Sequence, residues 1–189
     1  MSNKYVLTDE SNVLENGVTV YRIKYSDGEL GGWLESYGNL SQCDNARVSG
    51  NACVYGNVRV FGNAHVRGNA HVYDNARVFG DVHVFGDARV FGDVHVFGDV
   101  HVYGNARVSD NARVYGNAIV SKTPLVITGL DYLIVIDDKY VRAGCQQHTC
   151  DQWVNFSKKD IAEMDGKSAL KFYPTLLSII ENLARPHQC

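Results

Sequence analysis

Histidine and arginine share one recurring position in the middle of this chain, and both side chains can do chemistry there. His65, His71, His83, His95 and His101 stand at multiples of six residues from one another, and imidazoles of this kind serve as general bases or zinc ligands. The same position is filled elsewhere by Arg47, Arg59, Arg77, Arg89, Arg107, Arg113 and Cys53. Side chains that interchange along a repeat argue for surface variation rather than catalysis. A second set lies outside the repeat, in Gly144-Cys145-Gln146-Gln147-His148-Thr149-Cys150-Asp151-Gln152-Trp153. Cys145 and His148 offer a thiolate and imidazole pair and, with Cys150, part of a metal site. The plainer reading is a helix entry, with Thr149 or Asp151 as the cap and Trp153 packed into a small core. Ligand recognition by Gln146, His148 and Trp153 is a further one.

The element that positions the first set is a strict period. Valine falls on every sixth residue from Val48 to Val120, and four residues after each valine up to Val114 comes Ala or Val. Between them lies Gly-Asn or Gly-Asp, with Asp74 and Asp110 replacing the glycine. Valine favours extended backbone and packs well on a pleated surface, whereas Gly followed by Asn or Asp supplies positive φ angles and local side-chain hydrogen bonds. Each hexad therefore predicts one short strand and one corner, and a fixed short period predicts a solenoid. Strand alternation turns both neighbours of each valine outward, while the small residue at the corner points inward.

Repeats such as Val60-Phe61-Gly62-Asn63-Ala64-His65 resemble the hexapeptide repeat of left-handed parallel β-helices. The resemblance implies triangular coils of three hexads, so that positions 18 residues apart stack on one face. It also implies homotrimers packed side by side, with ligands in the grooves between subunits. Some members are acyltransferases with a histidine base, and others are carbonic anhydrases holding zinc between subunits. The slot after the valine departs from the family pattern, being mostly aromatic here.

In steps of 18, one face carries Arg47, His65, His83 and His101 beside Arg67, Phe85 and Tyr103. The second carries Cys53, His71, Arg89 and Arg107 beside Tyr55, Tyr73 and Phe91. A stacked histidine column, with rings about 4.8 Å apart, is a ladder rather than the convergent tetrahedron that zinc requires. The third face carries Arg59, Arg77, His95 and Arg113 beside Phe61, Phe79, Phe97 and Tyr115. Its aromatic stripe predicts an interaction surface, most simply with other copies of the chain. Its arginine column suits a planar anionic ligand, held by stacking and by bidentate contacts to phosphate.

The flanks read differently. Residues 1–43 form an N-terminal β cap, with a strand over 18–25, a turn at Ser26-Asp27-Gly28, and Trp33 beside two glycines as a plug over the first coil. The solenoid occupies 44–121. Residues 122–189 predict a small α+β domain: strands over 125–128, 132–136 and 140–143, a turn at Asp137-Asp138-Lys139, a capping box at Ser157-Lys158-Lys159-Asp160 and an apolar-faced helix over 169–184 despite Pro174. The expected fold is mainly β, a single-stranded left-handed parallel β-helix with an N-terminal cap and a small C-terminal α+β domain.

Composition narrows the function. A net charge of -3 argues against general nucleic-acid binding, and no apolar run approaches the roughly 18 residues of a membrane span. No apolar stretch follows Met1-Ser2-Asn3-Lys4 as in a secretory signal, so a cytoplasmic location is expected. The five cysteines are then expected mostly as thiols, without zinc-ribbon or Cys-x-x-Cys spacing. The solenoid has neither outward threonine ladders of the ice-binding kind nor a calcium nonapeptide.

A second resemblance spans most of the chain. Leu30-Gly31-Gly32-Trp33-Leu34-Glu35, then Asn39-Leu40-Ser41-Gln42, then Asn-Ala-Arg-Val repeats, then Gly144-Cys145-Gln146-Gln147-His148-Thr149 with Trp153 and Phe156, is similar to proteins of bacteriophages and prophages. It implies an accessory role in the cytoplasm of a bacterial host. The expected function is an oligomeric binding protein, with a trimer favoured, that captures a small anionic or nucleotide-like ligand and so sequesters a host defence signal. Its ligand-binding candidates are Arg59, Arg77, His95, Phe97, Arg113, Tyr115, Gln146, His148 and Trp153, with no catalytic residue, metal or cofactor. The alternatives are an acyltransferase-like enzyme, against which the lack of a long loop between Val48 and Val120 speaks, and a scaffold whose C-terminal domain docks a host or phage protein.

Overall fold

A computed structural model describes residues 3–109, 112–116 and 118–188. Asp110 and Cys189 lie outside the described residues. The chain forms two compact units, Met1–Thr123 and Pro124–Cys189.

In the first unit every repeat valine from Val48 to Val120 is buried, as are the small residues at the corners. Each hexad contributes a strand of two to four residues, paired in parallel with a strand 18 residues away, as in His65↔His83, Arg89↔Arg107 and Phe79↔Phe97. The result is a parallel β-solenoid of about five turns. Corner glycines take the left-handed conformation, for example φ 85° at Gly80, where a Cβ would also lie 3.0 Å from the amide nitrogen of Gly98 in the next coil. Conformation and coil spacing thus both favour glycine. Asp74 adopts φ 64° and recovers part of the cost, because its carboxylate accepts a hydrogen bond from the Gly92 amide at 3.2 Å. The corner asparagines bond between coils rather than locally. Asn45 donates to Asn63 at 3.1 Å and Asn63 to Asp81 at 2.7 Å, because stacking sets like corners one above another.

The cap is built from β1 (Tyr5–Val13), β2 (Thr19–Tyr25) and β3 (Leu30–Leu34). The first two pair antiparallel, β3 pairs antiparallel with β2, and β3 then pairs in parallel with Cys53–Val54. The strand β1 has no counterpart in the sequence reading. Parallel stacking therefore reaches back beyond the regular period. Leu34 and Leu40 take inward slots six residues apart, opposite Val54 and Val60, but eight residues separate Leu40 from Val48.

Trp33 is not the plug that the sequence suggested. It occupies the outward slot beside Cys53, with the Arg22 guanidinium 5.1 Å from its ring centre. Alternation along β3 turns Leu34 inward instead, and the plug consists of Tyr5, Ile23, Tyr25, Leu34 and Leu40, all buried. The two glycines allow close approach: a Cβ on Gly31 would meet Ile23 at 2.4 Å and one on Gly32 would meet the Ala52 carbonyl oxygen at 2.6 Å.

A bare solenoid end presents unpaired backbone groups, which favour edge-to-edge association. Side chains satisfy several of them. The Tyr25 hydroxyl donates to the Val48 carbonyl at 3.0 Å and accepts from the Val48 amide at 2.8 Å. Lys4 donates to the Ala46 carbonyl at 2.8 Å, while Glu35 and Asp44 accept from the amides of Gly56 and Gly62, each at 2.6 Å.

The second unit opens with a four-stranded antiparallel sheet, Leu125–Ile127, Ile134–Ile136, Val141–Ala143 and Gln146–His148, in sequential order. Helix α1 (Cys150–Asn155) follows, capped by Thr149, and then α2 (Lys158–Ile179), capped by Ser157. The helical path continues through a π-helical turn, Ile180–Ala184. Pro174 does not break α2. The break falls at Asp165 and Gly166, with φ 58° at the glycine. Among the described residues no helix is long and apolar enough to cross a membrane.

Candidate functional site

The third face of the solenoid is set by the strands Arg59–Gly62, Arg77–Gly80, His95–Gly98 and Arg113–Gly116, paired in register. Its rings stack at centroid distances of 4.8, 5.1 and 5.0 Å, within 5° of parallel. Both faces of the Phe97 ring are therefore covered, by Phe79 and Tyr115. The column turns ring edges, the positive rim of the aromatic quadrupole, to its surroundings. Arg59, Arg77 and Arg113 are exposed and His95 is half-buried. None of the three guanidiniums makes an ion pair with a described residue; Arg59 and Arg77 sit at one-strand spacing, an unfavourable cross-strand arrangement of like charges, whereas His95 separates Arg77 from Arg113.

The first face carries the histidine ladder. His65 and His83 lie 5.3 Å apart at 40°, and His83 and His101 lie 5.0 Å apart at 6°. Burial lowers the pKa values of His65, His71 and His83, and neighbouring Arg or His charges lower them further. These imidazoles are thus neutral at pH 7. Among the described residues no group of three metal-ligating side chains converges.

On the second face, the turn after β1 overhangs Tyr55, His71, Tyr73 and Arg89 to make a groove of about 560 Å³. The sequence reading missed it because β1 itself was not legible.

In the second unit, Gln146 and Trp153 line a cleft of about 300 Å³ together with Tyr132, Cys145, Asp165 and Phe172. Trp153 is buried and its indole N–H donates to the Val141 carbonyl at 2.7 Å. The His148 ring packs edge-on against Trp153 and Phe156, each at 4.8 Å. Its Nε2 is buried without a hydrogen-bond partner among the described residues, and burial lowers its pKa. Cys150 is buried and donates to the Gln188 side-chain oxygen at 3.2 Å, whereas Cys145 is exposed. Cys145, His148 and Cys150 accordingly have separate surroundings.

Within the cleft lining the Tyr132 hydroxyl donates to the exposed Asp165 carboxylate. That bond is the main cause that pushes the Tyr132 pKa up to about 12. Gly144 is left-handed, with φ 59°, and a Cβ there would meet the Tyr132 ring at 3.0 Å. The sequence signal for this feature was Asp165-Gly166, a turn dipeptide inside a helical stretch.

Residues 52–68, 70–85 and 106–122 match a family model described as the YdcK Beta solenoid repeat, and the strands described within all three segments belong to the stacked coils. No curated protein matches the chain. Stacked coils and repeat match agree: this is a β-solenoid repeat protein.

Proposed function

We propose that this chain is a non-catalytic binding protein, in which copies of the solenoid associate as a trimer and hold a small anionic, nucleotide-like ligand along the third face. The observation that carries the reading is the column of Arg59, Arg77 and Arg113, without an ion-pair partner among the described residues, beside edge-on rings. An anion between the neighbouring Arg59 and Arg77 guanidiniums relieves their repulsion through charge-assisted, bidentate hydrogen bonds, and positive ring edges favour the same sign of ligand. The covered faces of Phe97 exclude a base stacked flat upon it, so phosphate recognition supplies most of the affinity. The aromatic stripe supports self-association, with the arginines left at the margin of the contact. The similarity to phage proteins supports capture of a host defence signal in the bacterial cytoplasm as the purpose. The same flat stripe also favours a second reading, a scaffold that assembles without any small ligand.

Native mass spectrometry of the protein purified from a bacterial host, before and after denaturation, separates the two. A trimer that releases a phosphate-bearing small molecule supports capture. A trimer with no retained mass, and no shift on adding a panel of nucleotides and coenzyme A, leaves the scaffold. A monomer that binds nothing refutes both.

A further inference from the structure

We propose that the cleft in the C-terminal unit is a binding site for a compact organic ammonium, an amine on a small apolar or aromatic body. This site is separate from the third face of the solenoid, and its chemistry has the opposite sign. Its volume of about 300 Å³ lies at the lower end of the range for small-molecule pockets. The lining is largely apolar, with Trp153 and Phe172 buried. Four aromatic side chains, Tyr132, Trp153, Phe172 and Tyr173, take part. Tyr132 and Phe172 meet edge to face, at 5.1 Å and 67°, unlike the solenoid rings, whose faces are used up in stacking.

Charge decides the class of ligand. Among the described residues, Asp165 is the one charged side chain lining the cleft, and no Lys or Arg lines it. Its carboxylate is held by a single side-chain donor among the described residues, the Tyr132 hydroxyl. A carboxylate has about four acceptor positions, so most of its capacity remains for a ligand. A carboxylate in the lining of an aromatic cleft favours a cation, through charge-assisted hydrogen bonds and attraction to the rings, and disfavours an anion. The helix break at Asp165 and Gly166 presents this carboxylate beside the cleft without unfolding the helix on either side.

Three probes of one shape test the proposal on the full chain: 2-phenylethylammonium, 2-phenylethanol and phenylacetate, titrated while the Trp153 indole N–H resonance is followed. The expected order is ammonium, then alcohol, then carboxylate, with at least tenfold between the first and last. Asp165→Asn, which keeps an acceptor for Tyr132, should reduce that ratio to about threefold or less. Tyr132→Phe, which frees the carboxylate and leaves its charge, should retain or improve ammonium binding. Equal or tighter binding of phenylacetate overturns the proposal. So does absence of ammonium binding at millimolar concentration, or a loss in Tyr132→Phe as large as in Asp165→Asn, which would make the pair structural.

Discussion

Arg77→Gln separates what the arginine column does for the fold from what it does for a ligand, because the two effects have opposite signs. Arg77 is in register with Arg59 on one side and His95 on the other. Two unit charges about 5 Å apart in water repel by about 0.8 kcal/mol, and salt screens part of this. Long side chains splay, so relief on neutralising Arg77 is worth about 0.5 kcal/mol. The variant should therefore be as stable as the parent, or slightly more so, in urea denaturation, with the difference shrinking at high salt. A bidentate contact to phosphate, by contrast, contributes about 1.5–3 kcal/mol, or roughly tenfold to more than a hundredfold in affinity. Isothermal titration with ATP and with pyrophosphate, at two salt concentrations, reads that loss. An affinity unchanged in Arg77→Gln refutes anion binding by this column. A stability loss above about 1 kcal/mol would mean that the guanidinium packs instead of repelling its neighbour.

Glycine corners and one buried carboxylate supply further tests. Gly17→Ala, at φ 82° with open space around it, should cost about 1–2 kcal/mol from conformation alone, and Gly80→Ala should cost more because its Cβ also meets the next coil at 3.0 Å; equal costs in urea denaturation would remove the stacking argument. Gly80→Asp should fall below Gly80→Ala, following Asp74, whose carboxylate bonds to the Gly92 amide. Asp137 is buried, and burial pushes its pKa from 3.8 to about 6, against backbone hydrogen bonds that lower it. A raised carboxyl pKa means that the stabilising contribution is full below about pH 4 and is lost as pH rises to about 6. Asp137→Asn, which keeps an oxygen for the Lys139 and Tyr140 amides, should gain about 1–2 kcal/mol at pH 8 and lose that advantage toward pH 4; destabilisation at both pH values would show that the Arg142 charge outweighs burial.

What the sequence disclosed followed from period, and what it concealed came from breaks in period. Thirteen valines six residues apart specify strand, corner and inward slot at once, so the stacking of His83 on His101 and of Phe79 on Phe97 was legible before any coordinate. Leu34 and Leu40 obey the same six-residue rule, yet the eight residues from Leu40 to Val48 shift them out of phase, and the irregular first coil was read as a separate cap. Trp33 illustrates the consequence. Its size suggested a plug, but one residue of strand phase decides inside from outside, and Leu34 took the inward slot.

The groove escaped, and the cleft was legible only in Gln146 and Trp153, for a related reason. Each depends on residues that periodicity does not tie together: the turn after β1 over Tyr55 and Tyr73, and Tyr132 with Asp165, which lie 33 residues apart. Even where periodicity placed the third face correctly, it fixed which rings would stack and left open how they would stand. A column only says that Phe79, Phe97 and Tyr115 are neighbours. Near-parallel rings at about 5 Å take up one another's faces and turn positive edges outward, so the surface that residue types alone would assign to base stacking is better suited to the charge on a phosphate.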